Sequence, residues 1–291
     1  MGTAKPRPAC PVITFDLEEW FNLLECDAIP PAENWGSLES RVEANTDLLL
    51  DLLDKRGVKA TFFVLGWVAR HYPALIRKIA SLGHELGCHS DLHTLVWTQT
   101  PGAFREETAR ALGAIGDAAG APVLNYRAPG FSITEKCMWA FEILLDLGII
   151  TDCSVYPGIH AHGGMRSLFP SVPFRLGVGE RTLKEFPVSL AGLGPLQLAF
   201  VGGGYFRLLP LALISHWTRQ RPGAVTYFHP RDFDPGQPRI QGLSAARRFK
   251  AYVGIGGATR KLDRFLERFG GQTLAQASAA ITWDTSPLVR V

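Results

Sequence analysis

The chain has 291 residues, 46% of them hydrophobic and 20% charged, which is enough to bury the core of one large α/β domain or two small ones. Its formal net charge is only +3 and no run of Lys or Arg stands out, so the sequence lacks the charge pattern of a nucleic-acid-binding protein. The five cysteines are widely scattered without a Cys-x-x-Cys pair, which predicts a reduced, cytoplasmic protein rather than a disulfide framework.

Strand-like and helix-like segments alternate along the chain. In chain order we predict a strand at 12–15, a helix at 38–55, a strand at 60–65, a helix from Pro73 to Gly83, a strand at 85–88, a helix at 104–119, a strand at 125–127, a helix at 134–147, strands at 149–155 and 185–188, a helix at 208–220, a strand at 224–228 and a helical region at 247–269. This order predicts a single α/β domain, and about seven such units favour a barrel of parallel strands with helices outside over an open sheet.

Two segments bear on targeting to a membrane. Met1 to Pro11 is short and Pro-rich and lacks the apolar stretch of a signal peptide. Val188 to Phe206 carries no charge, but several residues in it make a poor helix: Gly192, Gly194, Pro195 and Gly202 to Gly204. Because a transmembrane helix needs about 20 helix-compatible apolar residues, we interpret this segment as an irregular buried loop and predict no membrane span.

Four polar clusters follow predicted strands, where the catalytic residues of a parallel barrel lie. They are Asp16-Leu17-Glu18-Glu19, His89-Ser90-Asp91-Leu92-His93, Arg127-Ala128-Pro129-Gly130-Phe131 and His229-Pro230-Arg231-Asp232. We therefore expect them to converge at one end of the barrel.

The spacing of the two histidines in the second cluster suggests metal binding. On one helical turn, His89 and His93 would point the same way. Two histidines and one carboxylate leave positions on Zn²⁺ for a water and a substrate oxygen. The alternative is that Ser90 and Asp91 cap a helix beside two incidental histidines.

The carboxylates of the first cluster suggest two roles. Asp16 and Glu18 are two residues apart and face the same side if the strand continues, whereas Glu19 then points away. One of the pair would bind the metal and the other would act as a base. The alternative is a solvated acidic turn, although the neighbouring Trp20 and Phe21 favour a partly buried setting.

Arg127 and His229 each have a functional and a structural interpretation. Arg127 could hold the charge and geometry of a carboxylate, or form a plain structural ion pair. His229 precedes a proline, which favours an extended backbone. It could act as a general acid near neutral pH, or be a structural histidine.

The motifs taken together resemble a known family. Thr14-Phe15-Asp16, Thr61 to Gly66, Gly83 to His93 and Arg127 to Phe131 are similar to the motifs of NodB-homology polysaccharide deacetylases, which are family 4 carbohydrate esterases. The resemblance covers nearly the whole chain. It implies a distorted (β/α) barrel and a metal-dependent hydrolase that removes N-acetyl groups from a saccharide.

Further segments resemble one subfamily, the deacetylases of exopolysaccharide loci in bacteria with exosortase (PEP-CTERM) systems. These segments are Phe15 to Phe21, Gly202 to Pro210, Phe228 to Pro235 and a tail from Phe249 to Leu262. The resemblance implies a NodB-homology core at about 11–235 and a helical extension at about 236–291. It also implies action in bacterial exopolysaccharide synthesis.

One departure from the family pattern affects the carboxylates. The common opening is TFDDG, in which the first Asp is the base and the second binds the metal, but the second position here is Leu17. By resemblance to relatives with a DxD or DxE opening, we assign Asp16 as the base and Glu18 as the ligand, with Glu19 as the fallback. Asp152 lies in a segment similar to the subfamily's "DSSxYP", and its role stays open.

The resemblance also implies a mechanism for the remaining residues. Arg127 orients Asp16, a backbone N–H near Gly130 helps to hold the oxyanion, and His229 protonates the leaving nitrogen. Further substrate contacts are expected at Phe131. Aromatic residues that stack on sugars, or else belong to the core, are Tyr156, Tyr205, Trp20 and Trp97.

Alternatives remain for the substrate and for the activity. A cyclic amide or ureide could be hydrolysed on the same fold, or the chain could be a non-catalytic carbohydrate-binding relative. The apolar segment from Leu190 to Leu213 is either core or one wall of the sugar cleft, with Tyr205 stacking on a saccharide. In the second case, a lipid-linked substrate at the inner membrane face would suit it.

Overall fold

The computed structural model describes residues 10–165, 169–193 and 196–291. Its strands are β1 (Thr14–Leu17), β2 (Thr61–Val64), β3 (Glu85–Cys88), β4 (Asn125–Tyr126), β5 (Thr151–Asp152), β6 (Phe174–Val178), β7 (Arg181–Glu185), β8 (Ala191–Leu193), β9 (Leu196–Leu198) and β10 (Leu288–Arg290). Its α-helices are α1 (Val42–Lys55), α2 (Gly66–His71), α3 (Pro73–Ser81), α4 (Pro101–Ala119), α5 (Trp139–Asp146), α6 (Gly203–Leu208), α7 (Leu211–Gln220), α8 (Ala245–Tyr252), α9 (Ala258–Phe269) and α10 (Leu274–Ala279).

The sheet is mostly parallel, as the alternating pattern predicts. Strands β1, β2, β3, β4, β5 and β7 pair in that order and all run parallel. Residues 225–228 add parallel bridges on the other side of β1, at Val12–Val225 and Phe15–Phe228. The predicted α/β architecture with outer helices and a helical C-terminal region is therefore confirmed.

The central strands are buried on both faces, as expected for a parallel sheet covered by helices. Phe62, Phe63 and Val64 of β2 are all 0% exposed. Helix α4 is delimited by ordinary local signals, since the Thr100 side chain accepts a hydrogen bond from the third residue and Gly120 ends the helix at φ +72°. These elements fix the carboxyl ends of β1 to β4, which carry most of the polar clusters.

Several predicted boundaries are wrong for identifiable reasons. The strand at 185–188 is β7, which ends at Glu185 and pairs with the unpredicted antiparallel β6. The helical region at 247–269 is two helices, because Gly254 adopts φ +69° between them. The helix at 134–147 consists of a short 3₁₀ turn followed by α5.

The uncharged segment at 188–206 is mainly core. Leu190, Phe200, Val201 and Phe206 are each at most 3% exposed, so they cannot present an apolar face to a membrane. The segment also contains the β8–β9 hairpin, which the prediction of an irregular loop did not include. Gly194 and Pro195 lie outside the described residues. Within the described ranges, no helix is both long and apolar enough to cross a membrane.

The cysteines form no disulfide among the described residues. All five lie in the described part of the chain and all are free thiols. Of the N-terminal segment interpreted above, residues 1–9 lie outside the described residues.

Candidate active site

The four polar clusters converge at the carboxyl ends of neighbouring strands. Asp16 is in β1 and Glu18 follows it, His89 follows β3 and Arg127 follows β4. Between 0% and 3% of each of these residues is exposed. His229 joins them from the segment that pairs with the other side of β1.

Glu18, His89 and His93 offer three potential ligand atoms that all lie within 4.8 Å of one another. His93 Nε2 is 2.9 Å from Glu18 Oε2, and that buried oxygen has no hydrogen-bond partner. The Nδ1–H of His89 donates to the Arg127 carbonyl at 2.8 Å, which leaves the Nε2 lone pair free. A ligating histidine is usually held by such a bond at its second nitrogen, so these residues fit a divalent metal ion.

The electrostatics of this group favour the ligand forms of its members. Burial lowers the pKa of His89 to about 4, which keeps the imidazole neutral at pH 7. Burial alone would raise the pKa of Glu18, but the nearby His93 and His229 outweigh it and lower the pKa to about 2. A neutral imidazole and an ionised carboxylate are the states that bind a cation.

The two histidines converge through a loop and not through the helical turn that their spacing suggested. Ser90 and His93 adopt φ +69° and +61°, in the left-handed region that non-glycine residues rarely occupy. The Ser90 hydroxyl accepts a hydrogen bond from the His93 N–H at 3.1 Å, and the two imidazole centroids are 5.2 Å apart. Backbone strain of this kind persists only where the surroundings fix it.

Asp91 helps to hold the loop from Ser90 to His93 in this conformation. Its buried carboxylate receives Arg70 Nη1 at 2.5 Å and Arg110 Nε at 2.7 Å. Gly66 lies so close that a Cβ there would be 2.2 Å from Asp91 Oδ1. Asp91 therefore anchors the loop between the two histidines from behind.

Asp16 is held by Arg127. Nη1 of Arg127 donates to Asp16 Oδ1 at 2.7 Å and to the Thr14 hydroxyl at 2.8 Å. The second oxygen, Asp16 Oδ2, lies 3.9 Å from His89 Nε2 and 3.8 Å from His229 Nε2. One carboxylate oxygen is thus tethered and the other faces the space between the imidazoles.

His229 is oriented by a residue whose role the sequence did not reveal. Oδ2 of Asp232 accepts hydrogen bonds from the His229 backbone N–H at 2.9 Å and from its Nδ1–H at 3.0 Å. Burial alone would lower the pKa of His229, but Glu18 and Asp232 outweigh it and raise the pKa. The sequence feature that could have revealed this contact is the i, i+3 spacing of His229 and Asp232.

Glu19 has a structural role at the start of α1. Its carboxylate accepts hydrogen bonds from the Ser40 hydroxyl at 2.6 Å and from the backbone N–H groups of Arg41 and Val42 at 2.9 and 3.1 Å. It therefore caps the first turn of the helix, where free N–H groups need acceptors. This leaves Glu18 as the carboxylate beside the histidines.

Two buried carboxyl groups lie behind Arg127. Asp152 and Glu185 are direct neighbours in the β5–β7 pairing, and both are 0% exposed. Burial, above all, raises both pKa values, and the charge of Asp152 raises that of Glu185 further. Asp152 binds the Ser154 hydroxyl, which in turn accepts the Ala128 N–H, so Asp152 supports the turn that follows Arg127. Sequence analysis identified no role for Glu185.

The residues expected to contact substrate are placed unevenly. Phe131 and Tyr156 are both 4% exposed and pack with Tyr227 in a small apolar cluster, so their ring faces are not open. Trp20 is 9% exposed and belongs to the core, whereas Trp97 is 44% exposed.

Gly130 and Tyr205 fit an approach to substrate better. Gly130 adopts φ +57° in the turn after Arg127, and a Cβ there would be 2.7 Å from Leu24. Tyr205 is half-buried on α6. A cavity of about 260 Å³ that includes His93 is lined mainly by the loop after β1. A larger cavity of about 480 Å³ lies at the opposite end of the sheet, beside Glu85 and Thr151, away from these groups.

Two family models match parts of this chain. Residues 23–145 match the family model described as polysaccharide deacetylase. This range of the chain includes His89, His93 and Arg127. Residues 153–279, with His229, match one described as a domain of unknown function, DUF3473. Asp16 and Glu18 precede both matches.

Two curated relatives are deacetylases. The chain is 32% identical to a peptidoglycan-N-acetylglucosamine deacetylase of Bacillus cereus over 98 residues, which is 33% of this chain and 36% of that protein. It is 36% identical to a chitooligosaccharide deacetylase of Bradyrhizobium over 67 residues, which is 23% of this chain and 31% of that protein. The chain thus spans about a third of the length of each.

The fold is shared with a solved structure over almost its whole length. A Mycobacterium smegmatis protein described as a candidate polysaccharide deacetylase superposes with a TM-score of 0.68 at 22% identity, over 97% of this chain and 92% of that one. At this identity the likeness establishes the fold. Residues 23–145 are thus similar in sequence to polysaccharide deacetylases, and nearly the whole chain shares the fold of this solved structure.

Proposed function

We propose that the protein is a metal-dependent hydrolase that removes N-acetyl groups from an amino sugar of a bacterial exopolysaccharide or its precursor. One observation carries the proposal: the potential ligand atoms of Glu18, His89 and His93 lie within 4.8 Å of one another, and Asp16 and His229 border the same point. We propose that these residues serve as metal ligands, base and acid around one position that a substrate amide occupies.

The metal would be held by Glu18, His89 and His93, and we propose Zn²⁺ from this donor set. When bound, the ion supplies Lewis acidity that polarises the acetyl carbonyl. Asp16 removes a proton from the attacking water through its untethered Oδ2, while Arg127 keeps Oδ1 and the charge in place. A backbone N–H near Gly130 stabilises the developing oxyanion.

His229 supplies the proton that the leaving nitrogen needs. An amide cannot expel its nitrogen as an anion at neutral pH, so an acid is required for cleavage. Nε2 of His229 lies 3.8 Å from Asp16 Oδ2 and 3.7 Å from Glu18 Oε1. Asp232 stabilises the protonated imidazole through Nδ1–H, which suits His229 to the role of proton donor.

The substrate class follows from the relatives, whose names specify N-acetylglucosamine in peptidoglycan and chitooligosaccharide. An exopolysaccharide precursor in the cytoplasm is the substrate that the sequence resemblance and the free thiols favour. Tyr205 stands near Tyr156 and Tyr227 at the edge of the site, and we propose that it contacts the sugar.

A second activity on the same residues is hydrolysis of a cyclic amide or ureide, favoured by Leu17 in place of the usual second Asp. The discriminating experiment compares acetate release from N-acetylated hexosamine oligomers with ring opening of cyclic imides. We expect acetate release that a chelator abolishes. Cleavage of cyclic imides alone would favour the second activity, and no turnover of either by metal-loaded protein would favour a non-catalytic binding protein.

A further inference from the structure

Arg207 is a buried guanidinium that the mechanism above does not use. It lies on α6, in the glycine-rich segment, and is 5% exposed. Its Nε is 3.2 Å from Asp232 Oδ1, the carboxylate oxygen that His229 does not use, and this contact is an ion pair without the geometry of a hydrogen bond. The two oxygens of Asp232 are thus divided between the imidazole and the guanidinium.

The other face of Arg207 is held by the end of α8. Nη2 donates to the Lys250 carbonyl at 2.8 Å, and Nη1 donates to the carbonyls of Ala251 at 3.1 Å and Val253 at 2.8 Å. Carbonyls at the end of a helix lack intrahelical partners and carry its partial negative charge, so they suit a cation. Three acceptors from the C-terminal region therefore fix one arginine.

The backbone around Arg207 is also closely packed and hydrogen-bonded. Gly254 adopts φ +69° immediately after α8, and a Cβ there would be 2.6 Å from the Arg207 carbonyl oxygen. Nζ of Lys261 on α9 donates to the carbonyls of Phe206, Arg207 and Leu209 at 3.1, 2.7 and 3.0 Å. These contacts hold the backbone around Arg207, whereas rotation of its side chain away from Asp232 would break the bonds of the guanidinium to the end of α8.

We propose that Arg207 is a positioning residue for His229, and that the end of helix α8 holds its guanidinium in place for this role. The route is continuous: the carbonyls of Lys250, Ala251 and Val253 hold the Arg207 guanidinium. Arg207 forms an ion pair with Asp232, and Asp232 holds the imidazole through Nδ1–H. Without Arg207, the buried Asp232 loses one of the cations beside it and keeps His229 and the more exposed Arg231. The imidazole then loses the fixed orientation that presents Nε2 to the leaving nitrogen.

This inference rests on the proposed function, because it assumes that His229 is a proton donor. A test therefore compares two substrates in each variant. An N-acetylated sugar needs a protonated leaving group, whereas an aryl acetate such as 4-nitrophenyl acetate expels a stable phenolate without one. Arg207→Met should lower kcat for the sugar at least about tenfold with little change in KM, and lower ester hydrolysis less than about threefold, since general acids contribute about 10²- to 10⁴-fold.

Matched variants separate positioning from folding. Asp232→Asn should give the same substrate-dependent pattern, and the double variant should lose no more than Asp232→Asn alone, because the residues act as one unit. Arg207→Lys should restore part of the sugar activity by keeping the charge. Lys261→Met is the control, because Lys261 bonds to backbone carbonyls at the end of α6 and not to the Arg207 guanidinium or Asp232. It should affect both substrates equally, if at all.

A readout independent of turnover keeps the inference testable if the proposed function fails. In ¹⁵N-histidine-labelled protein, the His229 Nδ1–H bonded to Asp232 should give a slowly exchanging low-field proton signal. That signal should broaden or vanish in Arg207→Met and persist in Lys261→Met. If wild-type protein releases no acetate from sugars, the proposed function fails while this signal still tests the positioning. Persistence of the signal in Arg207→Met, or an equal loss of sugar and ester hydrolysis, would overturn the inference.

Discussion

Replacing Asp16 with Asn tests the base assignment and the buried ion pair together. Arg127 Nη1 lies 2.7 Å from Asp16 Oδ1, and 0% of the Arg127 side chain and 5% of the Asp16 side chain are exposed. Nε and Nη2 of Arg127 are buried and have no hydrogen-bond partner. Loss of the Asp16 charge therefore leaves the buried Arg127 guanidinium without the carboxylate to which it is hydrogen-bonded.

The contacts of Asp16 determine how much stability and how much activity its replacement should cost. Removing one partner of a buried ion pair costs about 3–5 kcal/mol, which we expect for Asp16→Ala. Asn keeps an acceptor oxygen for Arg127, so Asp16→Asn should cost about 1–3 kcal/mol, the range for a weakened buried hydrogen bond. Activity should fall by about 10² or more in both variants, because neither retains a base.

The assay pairs urea unfolding with acetate release and metal analysis on the same preparations. The exposed residue Glu142 supplies the control, and Glu142→Gln should change none of the three. Full activity in Asp16→Asn would refute the base assignment. If Asp16→Asn lost the metal while Glu18→Gln kept it, the two carboxylates would have exchanged roles.

Three further predictions follow from the geometry. Purified protein should bind about one divalent ion, and His89→Ala combined with His93→Ala should abolish binding; full occupancy in that double variant would contradict the ligand assignment. Glu19→Ala should cost about 1–2 kcal/mol in thermal unfolding through loss of its helix cap, while metal content stays unchanged; loss of metal would make Glu19 a ligand. The pKa of Asp234 is lowered, because hydrogen bonds led by Arg41 outweigh burial. The stabilising contribution of Asp234 is therefore present above the usual Asp pKa and is lost as the pH falls through the pKa of Asp234 in the folded protein. Asp234→Asn should destabilise the protein at pH 7 and much less near pH 2. Urea unfolding at both pH values would measure the difference.

The polar clusters could be predicted because they follow strands, and the carboxyl ends of parallel strands meet at one edge. Asp16, His89 and Arg127 follow from that rule alone. The convergence of His89 and His93 was predicted from helical spacing, yet a loop with two left-handed residues produces it. Loop geometry depends on the tertiary anchor at Asp91, which no local pattern encodes.

The residues that hold the site residues in place were less predictable, because they are distant from the site in the sequence. Glu185 meets Asp152 only through the β5–β7 register, and the sequence alone does not place β7 beside β5. Arg207 directly follows the segment at 188–206 that was interpreted as an irregular loop, and its partners lie at the end of α8, distant in the sequence. The break between α8 and α9 at Gly254 reflects the close approach to Arg207. The boundary near residue 235 between core and extension stays a prediction.

Acetate release from a defined N-acetylglucosamine oligomer tests the central claim most directly. The protein is measured as purified, after removal of metal by a chelator, and after addition of Zn²⁺ to the stripped protein. We predict release of acetate with an equal amount of free amine, loss of both on stripping, and recovery with about one equivalent of metal. Undiminished release by protein shown to be free of metal, or no release by fully metal-loaded protein from any N-acetylated saccharide, would contradict the account.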